Sequence, residues 1–197
     1  MKNKLLNYLL LEADVYKRPL RKRLLLFLLC TGAGLVIMLG YVAKNGFTFI
    51  NDAYSIIMTI VLVFFVGIFS MVVFSWPATD FVANINKESG KIGLVVKRMK
   101  VAKGFLFAAI YTGVVLALLS MLFNAVFEGN IASIVTIVFT FIISIWAGAM
   151  ITRCIVSVFE ETAAKKTYIF ITASAWYYII MFQIMGFIIK TAYSIIL

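Results

Sequence analysis

Covalent chemistry needs nucleophiles, proton carriers or metal ligands at spacings that bring them together, and this sequence is poor in all three. It contains no His, which removes a His-based triad, a Glu-x-x-His zinc site and haem ligation by His. Cys30 and Cys154 stand alone in apolar surroundings, without the paired spacing of a zinc or redox site, and read as packing residues. Gly32, Ala33 and Gly34 fall inside an apolar run, where small residues permit close helix approach rather than cradle a phosphate. No catalytic residue, metal ligand or cofactor is expected. Two charged residues lie at the ends of apolar runs: Asp80, just past Trp76 and Pro77, and Arg153. Placed at one depth, they would form an inner-face charge pair, each relieving the other's desolvation. The alternative is that each reaches headgroups on its own. Asn124 and Gln183 are the candidate intramembrane polar residues, fit either to line a cavity or to bond between helices.

The elements that must position these groups are apolar and long. Residues 24–42, 54–78, 105–127, 131–152 and 168–189 form five runs, each close to or above the roughly 20 residues that a helix needs to cross a hydrocarbon core of about 30 Å. Strand-like alternation is absent, so helices remain the way to satisfy the backbone in lipid. Composition agrees: 64% of residues are hydrophobic and 13% charged, against roughly 45–50% and 25% in soluble domains. The expected fold is all-α, a polytopic membrane protein with a five-helix transmembrane bundle over residues 24–197. Gly113, Ala117 and Ser120 on the third run and Ser144, Ala147 and Gly148 on the fourth form small-residue faces expected to pack together.

Lys and Arg resist translocation and collect on the cytoplasmic side. All but Lys44 and Lys190 of the eighteen cations flank one side of the five runs. The amino terminus is therefore expected inside and the carboxyl terminus outside. The formal charge of +10 does not point to nucleic acid, because the cations flank apolar runs and no aromatic platform accompanies them. Anionic headgroups are the better partner, at about 1 kcal/mol per cation near the leaflet. The candidate lipid- or partner-binding cations are Lys17, Arg18, Arg21, Lys22 and Arg23 before the first run, and Lys97, Arg98, Lys100 and Lys103 before the third. Leu94, Val95, Val96, Met99 and Ala102 interleave with the second group, which suggests either a short interfacial helix or an extension of the third span.

Residues 1–23 read as an interfacial amphipathic helix with a basic flank. Leu5, Leu6, Leu9, Leu10, Ala13 and Tyr16 recur at three- and four-residue spacing, and Pro19 ends the pattern.

Five spans, a basic loop before the third, and a fourth reading Ile145-Trp146-Ala147-Gly148-Ala149-Met150-Ile151-Thr152-Arg153 resemble the Yip family, whose members are named for interaction with Ypt and Rab GTPases. Glu160 to Lys166 occupies the polar turn before the last span, and Asp14-Val15-Tyr16-Lys17-Arg18-Pro19 echoes the family's Asp-Leu-Tyr-Gly-Pro motif with an extra residue and no glycine. For a prokaryotic relative in a plasma membrane, the resemblance implies a fold and a topology rather than an activity. The expected function is a non-catalytic membrane scaffold that binds a membrane-protein partner, a second copy of itself, or anionic lipid. The alternative is a small transporter or channel component, or a membrane subunit working with a partner ATPase. A hydrated cavity reaching mid-membrane would favour that second reading.

Overall fold

The computed structural model describes residues 23–45, 53–86, 91–127, 130–159 and 165–196, and every regular element among them is helical. The elements are α1 (Arg23–Asn45), α2 (Ala53–Ile85), α3 (Lys91–Val126), α4 (Asn130–Val158), α5 (Lys166–Tyr178), a π-helical segment (Ile179–Ile184) and α6 (Met185–Ile196). Four stretches are long and apolar enough to cross a membrane: Ile56–Ile85, Gly93–Val126, Ile131–Val158 and Lys166–Ala192. The last runs through α5, the π segment and α6 without a break. α1 adds a shorter apolar stretch, Leu24–Gly40. Large apolar side chains such as Leu118, Ile134, Ile137 and Phe141 face outward, the arrangement lipid covers and water does not. The chain is an integral membrane protein built as a polytopic helical bundle. The expected amino-terminal interfacial helix, with Lys17, Arg18, Arg21 and Lys22, lies outside the described residues, as does the side chain of Arg23.

α3 is the central strut, packed by α1, α2 and α4. Its buried side chains include Ala102, Ala108 and Ala109, small enough to let neighbours approach, with Phe105 and Leu106 filling the space between. Phe105 stacks on Phe74 of α2 with centroids 4.6 Å apart, and Tyr177 of α5 meets Phe105 edge-on at 6.0 Å. Three helices are thereby keyed at one level by aromatic contacts, each adding about 0.5–1.5 kcal/mol beyond area burial. The basic segment before the third span is the helical extension and not a separate interfacial helix: α3 runs 36 residues, about 54 Å, well beyond a hydrocarbon core of about 30 Å.

α1 and α2 meet backbone to backbone at Gly34 and Gly67. A Cβ on Gly34 would strike the Val63 carbonyl, and one on Gly67 the Cys30 carbonyl. The small-residue reading of Gly34 therefore holds, with α2 as the partner. α3 and α4 do share an extensive face, as expected, but the glycines of the two small-residue faces serve other neighbours. Gly113 packs beneath Val36 of α1, and Gly148 beneath Ser174 of α5. Phe123 of α3 and Phe139 of α4 also meet, 4.9 Å between centroids.

The last span is divided in its allegiance. α5 packs on α4, whereas α6 packs on α2 and α1, and neither the π segment nor α6 shares an extensive face with α4. A π turn widens the helix and shifts the side chains beyond it by about 100° relative to an unbroken α-helix. The end of the last span is thus turned away from α4.

Candidate functional site

Asp80 takes a different partner from the one expected. Its Oδ1 accepts from Arg98 Nη2 at 2.6 Å, and the Arg98 guanidinium lies 5.4 Å from the Trp76 ring centre. Trp76 and Asp80 are one turn apart on α2, so they present a ring and a carboxylate to the antiparallel α3. Arg153 is exposed on α4, and α4 shares no extensive face with α2, so the Asp80–Arg153 pair does not form. The Asp80–Arg98 pair is 46% and 27% exposed, a latch between helix ends rather than a buried ion pair.

The remaining cations of that segment are spread over different neighbours. Lys97 Nζ sits 4.5 Å from the Phe159 ring centre at the end of α4, and Lys103 is buried within the bundle. Lys100 is half-buried, and its carbonyl accepts from the Cys154 thiol at 3.5 Å. Lys165 donates to the Ile85 carbonyl at 3.0 Å. Of the cations before the third span, Lys97, Arg98 and Lys103 are turned inward onto α2 and α4.

The opposite half of the bundle encloses a cavity of about 580 Å³ where the last span parts from α4. This is within the range of small-molecule sites. Gln183 lines it, as one of its two sequence readings anticipated, and its Nε2 reaches Tyr178 Oη at 3.4 Å. Asn124 does not line it. The deep end is set by Thr112 and Tyr177, whose hydroxyl oxygens lie 2.6 Å apart. Thr112 Oγ1 also donates to the Ala108 carbonyl at 2.7 Å. A hydroxyl has one proton, so Tyr177 is the donor of the pair. Thr112 stands about 21 Å along the helix from the Val126 end, more than half the depth of a hydrocarbon core.

Thr136 and Thr140 of α4 supply a second polar wall. They lie on one face at a four-residue spacing, which Ser144 continues, and each donates to the carbonyl four residues earlier, at 2.8, 2.7 and 2.8 Å. Val36, Ile37, Leu116, Ile137 and Ile189 make the apolar lining, and Lys190 stands exposed at the end nearest the carboxyl terminus. Among the described lining residues there is no carboxylate and no thiol. Exposed Ile137 belongs to the lining, so the cavity opens sideways beside α4.

Thr112, Thr136 and Thr140 are legible in the sequence only as neutral polar residues within apolar runs, with nothing to group them, and Tyr177 reads as an apolar packing residue. The four-residue hydroxyl repeat on the fourth span, opposite a tyrosine pair on the fifth, was the available signal. A second, smaller crevice of about 210 Å³ between α2, α4 and α5 is apolar, lined by Pro77, Phe81, Ile155, Ile169 and Trp176 among others. No family model matches the chain, and neither the curated proteins nor the solved structures yield a match.

Proposed function

We propose that this chain is a non-catalytic membrane-embedded binding component, of the transporter-subunit type, that takes a small amphiphilic molecule from the lipid phase into the cavity between α4 and the last span. The observation that carries this reading is the pairing of a hydroxyl-lined wall with an apolar one in a space that reaches past mid-depth and opens sideways. A molecule leaving the bilayer through that opening keeps its apolar part desolvated throughout and exchanges only its polar contacts.

The charge asymmetry supports an orientation with the Asp80–Arg98 end in the cytoplasm and the cavity toward the outer leaflet of a prokaryotic plasma membrane. The scaffold reading, with basic ends against anionic headgroups or a membrane partner, has the cations before α1 and Lys100 in its favour. It loses support where Lys97, Arg98 and Lys103 turn inward. A Yip-like identity rests on the sequence pattern alone.

Gly186 lines the cavity, and a Cβ placed there would meet nothing within 4 Å. Gly186→Leu therefore fills the space without displacing the backbone. Native mass spectrometry of the chain released from lipid nanodiscs should show a bound small molecule on the wild type and its loss on Gly186→Leu at equal yield and helicity. Identical spectra for the two would remove the cavity from consideration.

A further inference from the structure

We infer that the cavity selects a neutral amphiphile bearing hydroxyl groups, which it recognises chiefly by accepting hydrogen bonds. This rests on the binding role proposed above and names the class of ligand.

Thr136 and Thr140 each commit their single proton to a backbone carbonyl, and Thr112 commits its own to Ala108. Tyr177 then gives its proton to Thr112. Four lining oxygens consequently retain lone pairs and have no proton to offer. A ligand carbonyl, ether or carboxylate would be desolvated against these oxygens without a donor, whereas a ligand hydroxyl satisfies them. Two acceptors left face to face in a desolvated site are both unmet, which disfavours such a ligand.

Ionic alternatives fit less well. An ammonium group would find acceptor oxygens, but no carboxylate among the described lining residues to neutralise it at membrane depth. An anion would find Lys190 only at the far end from Thr112. Ser120 and Tyr178 also line the cavity, and their hydroxyls can donate. The Gln183 amide in the lining is a further donor, and together these groups complete the match, because an alcohol both donates and accepts. Val36, Ile37, Leu116, Ile137 and Ile189 supply the surface for the apolar body.

The test uses the full chain in nanodiscs, titrated by native mass spectrometry with 1-O-decylglycerol and with its di-O-methyl ether, which keeps the same oxygens but carries a methyl in place of each donated proton. Decanoate and decyltrimethylammonium serve as ionic probes of the same chain length. The diol should bind about tenfold more tightly than its ether, the worth of one well-placed hydrogen bond, and more tightly than either ion. The isosteric double variant Thr136→Val, Thr140→Val removes two acceptors while sparing the helix's own backbone bonds, and should erase that preference. Equal or tighter binding of the ether, or a preference untouched by the double variant, overturns the inference about ligand class. If Gly186→Leu still blocks binding in that event, the cavity itself stands. Absence of binding by every probe to the wild type, or binding that Gly186→Leu leaves intact, overturns the cavity reading as well.

Discussion

Single residues here act through where their protons and charges can go. Asp80 is the informative case, since its partner comes from the basic segment that the structure shows as a helical extension of the third span. Arg98 reaches it because α3 extends alongside the end of α2. An exposed pair of this kind contributes little, so Asp80→Asn should lower stability in a denaturant titration in mixed micelles by less than about 1 kcal/mol. Arg153→Gln should leave it unchanged. A large loss on changing Arg153 would restore the pairing that the geometry rejects. The same contrast marks what the sequence could disclose. The lack of His and the isolation of both cysteines are plain in the sequence, and Gln183 lines a cavity, one of the two roles its position allowed. Tyr177 was missed because a hydroxyl on an aromatic ring reads as packing until its neighbour Thr112 is known.

Helices in lipid recognise one another by smoothness and shape, and a small-residue face does not say which neighbour it suits. Gly34, Gly113 and Gly148 were all legible as close-approach points, yet they serve three different interfaces: α1 with α2, α3 with α1, and α4 with α5. Only contact with Val63, Val36 and Ser174 distinguishes them. The π segment was illegible for a different reason. Periodicity reading assumes 3.6 residues per turn throughout, and an added residue within the fifth span leaves no mark in an unbroken apolar sequence. Two glycine substitutions should therefore diverge. Gly67→Leu drives a side chain into the Cys30 carbonyl and should cost at least about 1–3 kcal/mol, with α1 detached from α2 as read by cross-linking of paired cysteines. Gly186→Leu, in open space, should hold or slightly raise the thermal midpoint, because Gly inside a helix is unfavourable by roughly 0.5–1 kcal/mol relative to Ala. Equal destabilisation by the two would contradict the packing described.

At the scale of the whole molecule, the bundle is polarised. One end carries protruding helices, the Asp80–Arg98 latch and the inward-turned lysines; the other holds the cavity where the last span leaves α4. Apolar runs and cation placement made the membrane bundle readable from composition and order alone, whereas a cavity is a relation between distant elements and has no one-dimensional signature. Orientation is open to direct measurement. A cysteine introduced at Ser89 should react with an impermeant maleimide only after the membrane is opened, and the native Cys30 and Cys154, both buried, give little background. Labelling of intact cells would invert the bundle. The central claim, that a small amphiphile lodges beside α4, is tested most directly by photo-cross-linking in native membranes. A benzophenone side chain at Ile137, in the cavity wall, is compared with one at exposed Phe187, outside it. A discrete low-mass adduct should form at position 137, be absent at 187 and disappear when Gly186→Leu is added. The same spread of bulk lipid adducts at both positions, unchanged by Gly186→Leu, would contradict it.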